Sequence, residues 1–142
     1  MKGVVTTAGS EIFSKTHKPA AKDAPCLAIA RQRNVQIVGK TNMTEFALSP
    51  SGINEYFGTA VNPLKRNLIP GGSSSGNAVA VASGAADVAL GTDTAGSIRV
   101  PASYQGLVGV RPRLYDNSVD HSALSQPSGN FVLSAAVFQV RK

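Results

Sequence analysis

The sequence is poor in the groups that announce a metal, a membrane or a nucleic acid. A single cysteine, Cys26, excludes an internal disulfide and a cysteine-ligated metal cluster. No run of about eighteen apolar residues occurs, so no transmembrane helix and no membrane contact is expected. Met1 to Thr7 lacks the apolar centre of a signal peptide, and the expected location is cytoplasmic. Charged residues make up only 15% of the chain and aromatic ones 6%, with no tryptophan. With 42% hydrophobic residues, that balance fits an α/β domain packed from small side chains better than a disordered chain. At 142 residues the chain is long enough for one ordinary domain.

The net charge of +6 suggests nucleic acid, but its distribution does not. Residues 1–40 hold seven lysines and arginines against Glu11 and Asp23, a net of +5, and the rest of the chain nets +1. Lys15, Lys18, Lys22, Arg31 and Arg33 are scattered, with no interleaved aromatics to stack on bases. A solvated basic face is the expectation, and no direct nucleic-acid contact.

What the sequence has in abundance is glycine beside small hydroxylated residues. Two clusters stand out, Gly71-Gly72-Ser73-Ser74-Ser75-Gly76 and Gly91-Thr92-Asp93-Thr94-Ala95-Gly96-Ser97. Glycine allows backbone conformations closed to other residues and lets N–H groups approach a ligand closely. A glycine-rich turn that feeds a helix also offers unpaired N–H groups at the positive end of the helix dipole. That arrangement suits an anion or a developing oxyanion. The stretch from Pro70 to Pro112 therefore reads as an acyl-transfer site built from serine hydroxyls and backbone amides.

Around it the pattern predicts alternating elements. Residues 1–19 read as irregular, with a turn at Thr6–Ser10. A helix is expected from Asp23, as N-cap, with Pro25 in its first turn and Asn34 as its stop. A short strand is expected at Val35–Gly39, then a short helix within Lys40–Ala47 capped by Thr41 or Asn42. Leu48 to Pro70 reads as a long loop. Ser75 to Ala86 predicts a buried helix of small residues, Val88–Leu90 a short buried strand, Ile98–Tyr104 little more than one helical turn, and Leu107–Val110 another strand. Leu114 to Asn130 is polar and turn-rich, and Phe131 to Val140 is apolar without a clear period.

The motifs Gly-Gly-Ser-Ser-x-Gly at 71–76, Gly-Thr-Asp-Thr-x-Gly-Ser-Ile-Arg at 91–99, Pro101-Ala102 and Gly106-Leu107-x-Gly closely resemble the amidase signature family. Val38-Gly39-Lys40-Thr41-Asn42-Met43-x-Glu45-Phe46-Ala47, Thr59-x-Val61-Asn62-Pro63 and Thr6-Thr7-x-Gly9-Ser10 are similar to it as well. The resemblance covers about residues 3–112 and leaves 113–142 as a divergent tail. It implies an α/β fold with helices packed on a mixed sheet, of which this chain is expected to be a central, incomplete part.

The resemblance also implies roles. Ser97 would be the nucleophile, Ser73 the bridging serine behind a cis peptide bond, and the N–H groups of Thr94, Ala95, Gly96 and Ser97 the oxyanion donors. Ser74, Asp93 and Arg99 would support them; Asp93 reads equally as a turn residue, and for Arg99 a structural ion pair is favoured over positioning of the site. The expected substrate is a small-molecule amide, hydrolysed at its carboxamide C–N bond, with no metal or organic cofactor. The family's catalytic lysine belongs to a Gly-x-Pro-x-x-x-Lys-Asp context upstream of Thr6-Thr7, which this sequence does not contain. Lys2 and Lys40 do not align with it, so the chain alone is expected to be inactive or nearly so.

Two other readings follow from the residues. Gly72-Ser73-Ser74-Ser75-Gly76 satisfies Gly-x-Ser-x-Gly, which would make Ser74 the nucleophile of an α/β-hydrolase, with Asp93 or Asp116 and His121 after it. Pro70 ends the segment that should be its strand. A non-catalytic remnant would instead expose unpaired sheet edges and self-associate. A phosphate-binding loop is disfavoured, because no Lys-Ser/Thr follows Gly76.

Overall fold

The computed structural model describes residues 1–111 and the strand backbone at 135–139. Two short helices, α1 (Glu11–Thr16) and α2 (Pro25–Gln32), precede a single 3-10 turn at Glu45–Ala47. After a long connection come α3 (Ser75–Ala82), β1 (Val88–Thr92), α4 (Arg99–Tyr104) and β2 (Val108–Val110), and the last element is β3 (Ala135–Gln139). The sheet order is β1-β3-β2, and β3 runs antiparallel to both neighbours. Val88 and Val108 both register with Gln139, and Leu90 and Val110 both with Val137. No helix among the described residues is long and apolar enough to cross a membrane.

The core lies where α3 and α4 cover the sheet. Ala78, Val81, Ile98 and Ala102 are buried, with Ala89 and Leu107 packed against them. Ala78 and Val81 are three apart on α3, and Ile98 and Ala102 four apart at α4, so each pair shares one helix face. Small side chains let the backbones come close. A methyl group on Gly76 would stand 2.5 Å and 2.7 Å from the backbone N and O of Asn42, which leaves room only for hydrogen. The Gly76 N–H uses that approach to donate to Asn42 O at 3.0 Å.

Several elements differ from the sequence expectations. Glu11–Thr16 is helical and not irregular; six residues are too few for a period to be visible. Its Ser14 and Thr16 hydroxyls bond back to Glu11 O and Ile12 O, and Phe13 meets Phe46 edge-on at 5.1 Å. Asp23 does not cap α2, whose N-cap is Ala24. Its carboxylate instead accepts the Lys2 N–H at 2.7 Å and Arg31 Nε at 3.0 Å. Pro25 does open the helix, and Asn34, in the left-handed region at φ 59°, follows its end.

Val35–Gly39 forms no strand. Val38 is 72% exposed, and among the described residues no neighbour offers the ladder that a strand requires. The expected helix within Lys40–Ala47 shrinks to the 3-10 turn, with Thr44 before it. β1 is present but not buried: Val88 and Leu90 face outward, as do Val108 and Val110 of β2. The strand at Ala135–Gln139 arises in the apolar stretch where no period was visible. Residues 112–134, with Asp116 and His121, lie outside the described residues.

Candidate active site

The two glycine-serine clusters meet where α3 packs on β1 and α4. The first feeds α3, and the second leaves β1 and enters α4. They are tied directly: the Ser74 N–H donates to Ser97 O at 3.1 Å, and Ser74 Oγ donates to Thr92 O at 3.4 Å. A methyl group on Gly91 would come within 2.6 Å of Asn77 Nδ2 and 2.8 Å of Ser74 Oγ and Ile98 Cδ1. Glycine there lets the three side-chain ends close over the seam without shifting.

Ser73 is fully buried, and its peptide bond with Gly72 is cis. The Thr44 N–H donates to Ser73 O at 3.0 Å, while Ser73 Oγ has no partner among the described residues. In the second cluster Ser97 is half-buried, Thr94 and Ala95 are exposed, and Gly96 is buried. The Gly96 N–H donates to Asp93 Oδ1 at 2.7 Å and so is committed to the loop itself. The N–H groups of Thr94, Ala95 and Ser97 make no hydrogen bond within the described residues.

Asp93 holds that loop in shape. Its carboxylate also accepts the N–H groups of Ile98 (3.1 Å) and Arg99 (3.2 Å), and both Nε (3.0 Å) and Nη2 (2.9 Å) of Arg99. Burial alone would raise the Asp93 carboxyl. The Arg99 guanidinium and the Arg99, Gly96 and Ile98 amides outweigh it and hold the pKa down at about 2. Arg99 in turn is raised above its ordinary value by that carboxylate.

Lys40 Nζ donates to Val5 O at 3.1 Å and is not directed to Ser73. Ser74 is 5% exposed, no strand precedes it, and its hydroxyl is engaged with Thr92 O. The strand–turn–helix context of a nucleophile elbow is therefore missing.

Sequence reasoning passed over two side-chain amides that build the site. Asn77 donates to Leu90 O at 2.8 Å and accepts from Thr41 Oγ1, joining α3 to β1 and to the segment before the 3-10 turn. Gln105 donates to Pro70 O at 2.9 Å, anchoring the start of the first cluster. An amide alone in a helix of alanine and valine was the available signal for Asn77, since it has no apolar reason to be there.

Because the Asp93 pKa in the folded chain lies below its ordinary 3.8, its contribution is complete above about pH 4 and is lost as pH falls toward 2. The shift amounts to about 2 kcal/mol. Urea midpoints from pH 7 to pH 2 should fall less in Asp93→Asn than in wild type, the two converging at the acid end. Parallel curves would contradict the assignment.

Over residues 1–128 the sequence matches the family model described as Amidase. Amidase 1 of Oryza sativa subsp. japonica is 47% identical over 110 residues, which is 78% of this chain and 25% of that protein. A glutamyl-tRNA(Gln) amidotransferase subunit of Streptococcus thermophilus is 46% identical over 110 residues, 78% of this chain and 22% of its own length. A 6-aminohexanoate cyclic dimer hydrolase, solved with its substrate, superposes with a TM-score of 0.81 at 28% identity, over 97% of this chain and 29% of that one. The chain spans about a quarter of the length of the curated relatives it matches. On the extent of these matches, the chain belongs to the amidase family and has part of the α/β fold of the amidase-signature enzymes.

Proposed function

We propose that this chain provides the two serines and the oxyanion loop of a site that hydrolyses the C–N bond of a small-molecule amide. Ser97 Oγ attacks the carboxamide carbon, and its proton passes to Ser73 Oγ, which hands its own proton to a base. The negative charge on the carbonyl oxygen is met by the N–H groups of Thr94, Ala95 and Ser97. Gly96 is left out of that set, because its N–H serves Asp93. The nitrogen leaves with a proton, and water releases the acyl group from Ser97.

The observation that favours this reading is the unpartnered Ser73 hydroxyl, buried behind the Ser74–Ser97 tie. A buried hydroxyl without a partner costs free energy unless it serves a further group. In the family pattern the base is a lysine amine. Among the described residues no lysine bonds Ser73, and Lys40 is turned to Val5, so the chain alone reacts slowly or not at all with amides. The elbow reading is weaker, because Ser74 lacks the preceding strand.

The exposed valines and leucine of the outer sheet face (Val88, Leu90, Val108 and Val110) favour pairing with a second copy. Sedimentation coefficients should then rise with concentration, and Leu90→Lys should suppress the rise. Coefficients that stay constant would remove the pairing.

A fluorophosphonate probe followed by peptide mapping tests the nucleophile. Slow label confined to Ser97 is expected, lost in Ser97→Ala and reduced at least about tenfold in Ser73→Ala. Label on Ser74 that survives Ser97→Ala would restore the elbow reading. A cooperatively folded chain that takes no label after long exposure would end the proposal.

A further inference from the structure

Nothing polar holds the side chain of Ser73. Its buried hydroxyl makes no hydrogen bond among the described residues, so Oγ stands wherever the backbone of residues 70–75 places it. Two hydrogen bonds grip that backbone: the Thr44 N–H donates to Ser73 O at 3.0 Å, and the Ser74 N–H donates to Ser97 O at 3.1 Å. At the start of the segment Gln105 Nε2 donates to Pro70 O at 2.9 Å. Gly71 lies so near α4 that a methyl group on it would stand 2.9 Å from Pro101 Cα.

A further grip comes from the long connection before α3. Gly52 is buried, lies in the left-handed region at φ 81°, and is pressed against three residues of the first cluster. A methyl group on it would collide with Gly71 O and would stand 2.8 Å from Pro70 Cγ and 2.9 Å from Ser75 Cβ. The approach is reciprocal. A methyl group on Gly72 would stand 2.7 Å from Gly52 N, 2.9 Å from Gly52 Cα and 3.0 Å from Ser49 O. Two backbones therefore touch directly beside Ser73, and among the described residues no main-chain hydrogen bond joins them. Such a contact acts by shape alone, and it can fix Ser73 only if Gly52 is itself fixed.

Ser49 and Ser51 supply that fixing. The Ser51 N–H donates to Ser49 Oγ at 3.2 Å, the Ile53 N–H donates to Ser51 Oγ at 3.2 Å, and the two hydroxyls meet at 2.9 Å. Hydroxyls bonded to the backbone two residues on close residues 49–53 into a turn around Gly52. Both serines are half-buried, which shields these bonds from water. A turn that serves only to redirect the chain looks different. Gly58 has the same backbone, at φ 80°, but it is exposed, and an added methyl group would meet nothing within 4 Å.

We propose that Ser51 and Gly52 are positioning residues, and that the hydroxyl-closed turn at 49–53 is a brace that sets where Ser73 Oγ stands relative to Ser97. Both act through the backbone of Gly72 and Ser73. This rests on the reading of Ser73 as the serine that receives the Ser97 proton.

Amide hydrogen exchange reads the brace, and fluorophosphonate labelling of Ser97 reads its consequence. In Ser51→Ala the Thr44 and Ser74 amides should lose about three- to tenfold of their protection, as one hydrogen bond of the turn is lost. The Ala102 amide, bonded to Ile98 O within α4, should keep its own. Ser51→Thr retains the hydroxyl and should restore both amides. The maximal labelling rate should fall by a similar factor in Ser51→Ala, with the affinity for the probe unchanged. In a Ser73→Ala background the same substitution should change the rate less than about twofold, because the group it positions is gone. Gly52→Ala, where it folds, should show the larger losses. Unchanged protection at Thr44 and Ser74 in Ser51→Ala overturns the brace. An equal fall in labelling with and without Ser73 overturns the positioning role, since the turn would then support the fold at large. Folded wild type that takes no label overturns the role of Ser73 and with it this use of the turn, whereas lost protection in Ser51→Ala would still leave the brace itself standing.

Discussion

The structure around the site depends on one buried anion. Asp93 has no exposed surface, yet it stays ionised because three backbone N–H groups and two guanidinium nitrogens point at it. Five donors on one carboxylate fix the backbone from Gly96 to Arg99, and so fix where Ser97 stands. The half-exposed guanidinium of Arg99 keeps contact with water while serving the buried partner, which lowers the desolvation cost of the pair. Removing either partner leaves the other with unmet charge. The loop is therefore held by an interaction that is costly to break at one end only.

A second constraint is how closely the backbones approach. Gly76 leaves no space for a side chain against the Asn42 backbone, and Gly91 lets Asn77, Ser74 and Ile98 close over it, so α3 lies directly against the segment at Asn42 and against β1. That closeness brings Ser74 to Ser97 through a main-chain bond rather than through long side chains. The small-residue composition of α3 follows from the same need. Its cost is a core of few large groups, with Ile98 and Val81 the bulkiest apolar members.

The glycine-serine clusters were visible in the composition, whereas the roles of Ser73, Ser74, Asp93, Ser97 and Arg99 came from the resemblance to the amidase signature. The structure adds that the clusters meet through the Ser74–Ser97 main-chain bond. The composition of Ser75 to Ala86 announced a tightly packed helix, although it ends at Ala82, where Ser83 and the left-handed Gly84 (φ 77°) stop it. Pro25 with Asn34 bounded α2 within a residue. Three things were not legible. Val35–Gly39 has the residues of a strand, but a strand exists only if another part of the chain pairs with it. Ala135–Gln139 is a strand for that reason, since it lies between β1 and β2, and nothing in its own pattern says so. Asp23 illustrates the third: it reads as a cap by sequence, and the Lys2 N–H and Arg31 claim its carboxylate instead. The commitment of the Gly96 N–H to Asp93 belongs to the same class, because motif spacing gives the residue and not the direction of its N–H.

The central claim is that the Asp93 carboxylate holds the backbone that presents Ser97. Amide hydrogen exchange of Gly96, Ile98 and Arg99, compared between wild type and Asp93→Asn, tests it most directly. Those three amides should be protected together in wild type and should lose about tenfold or more of their protection in Asp93→Asn, while the Val81 amide in α3 keeps its own. Equal protection of the three amides in both proteins would contradict the account, since the loop would then hold its shape without the buried charge.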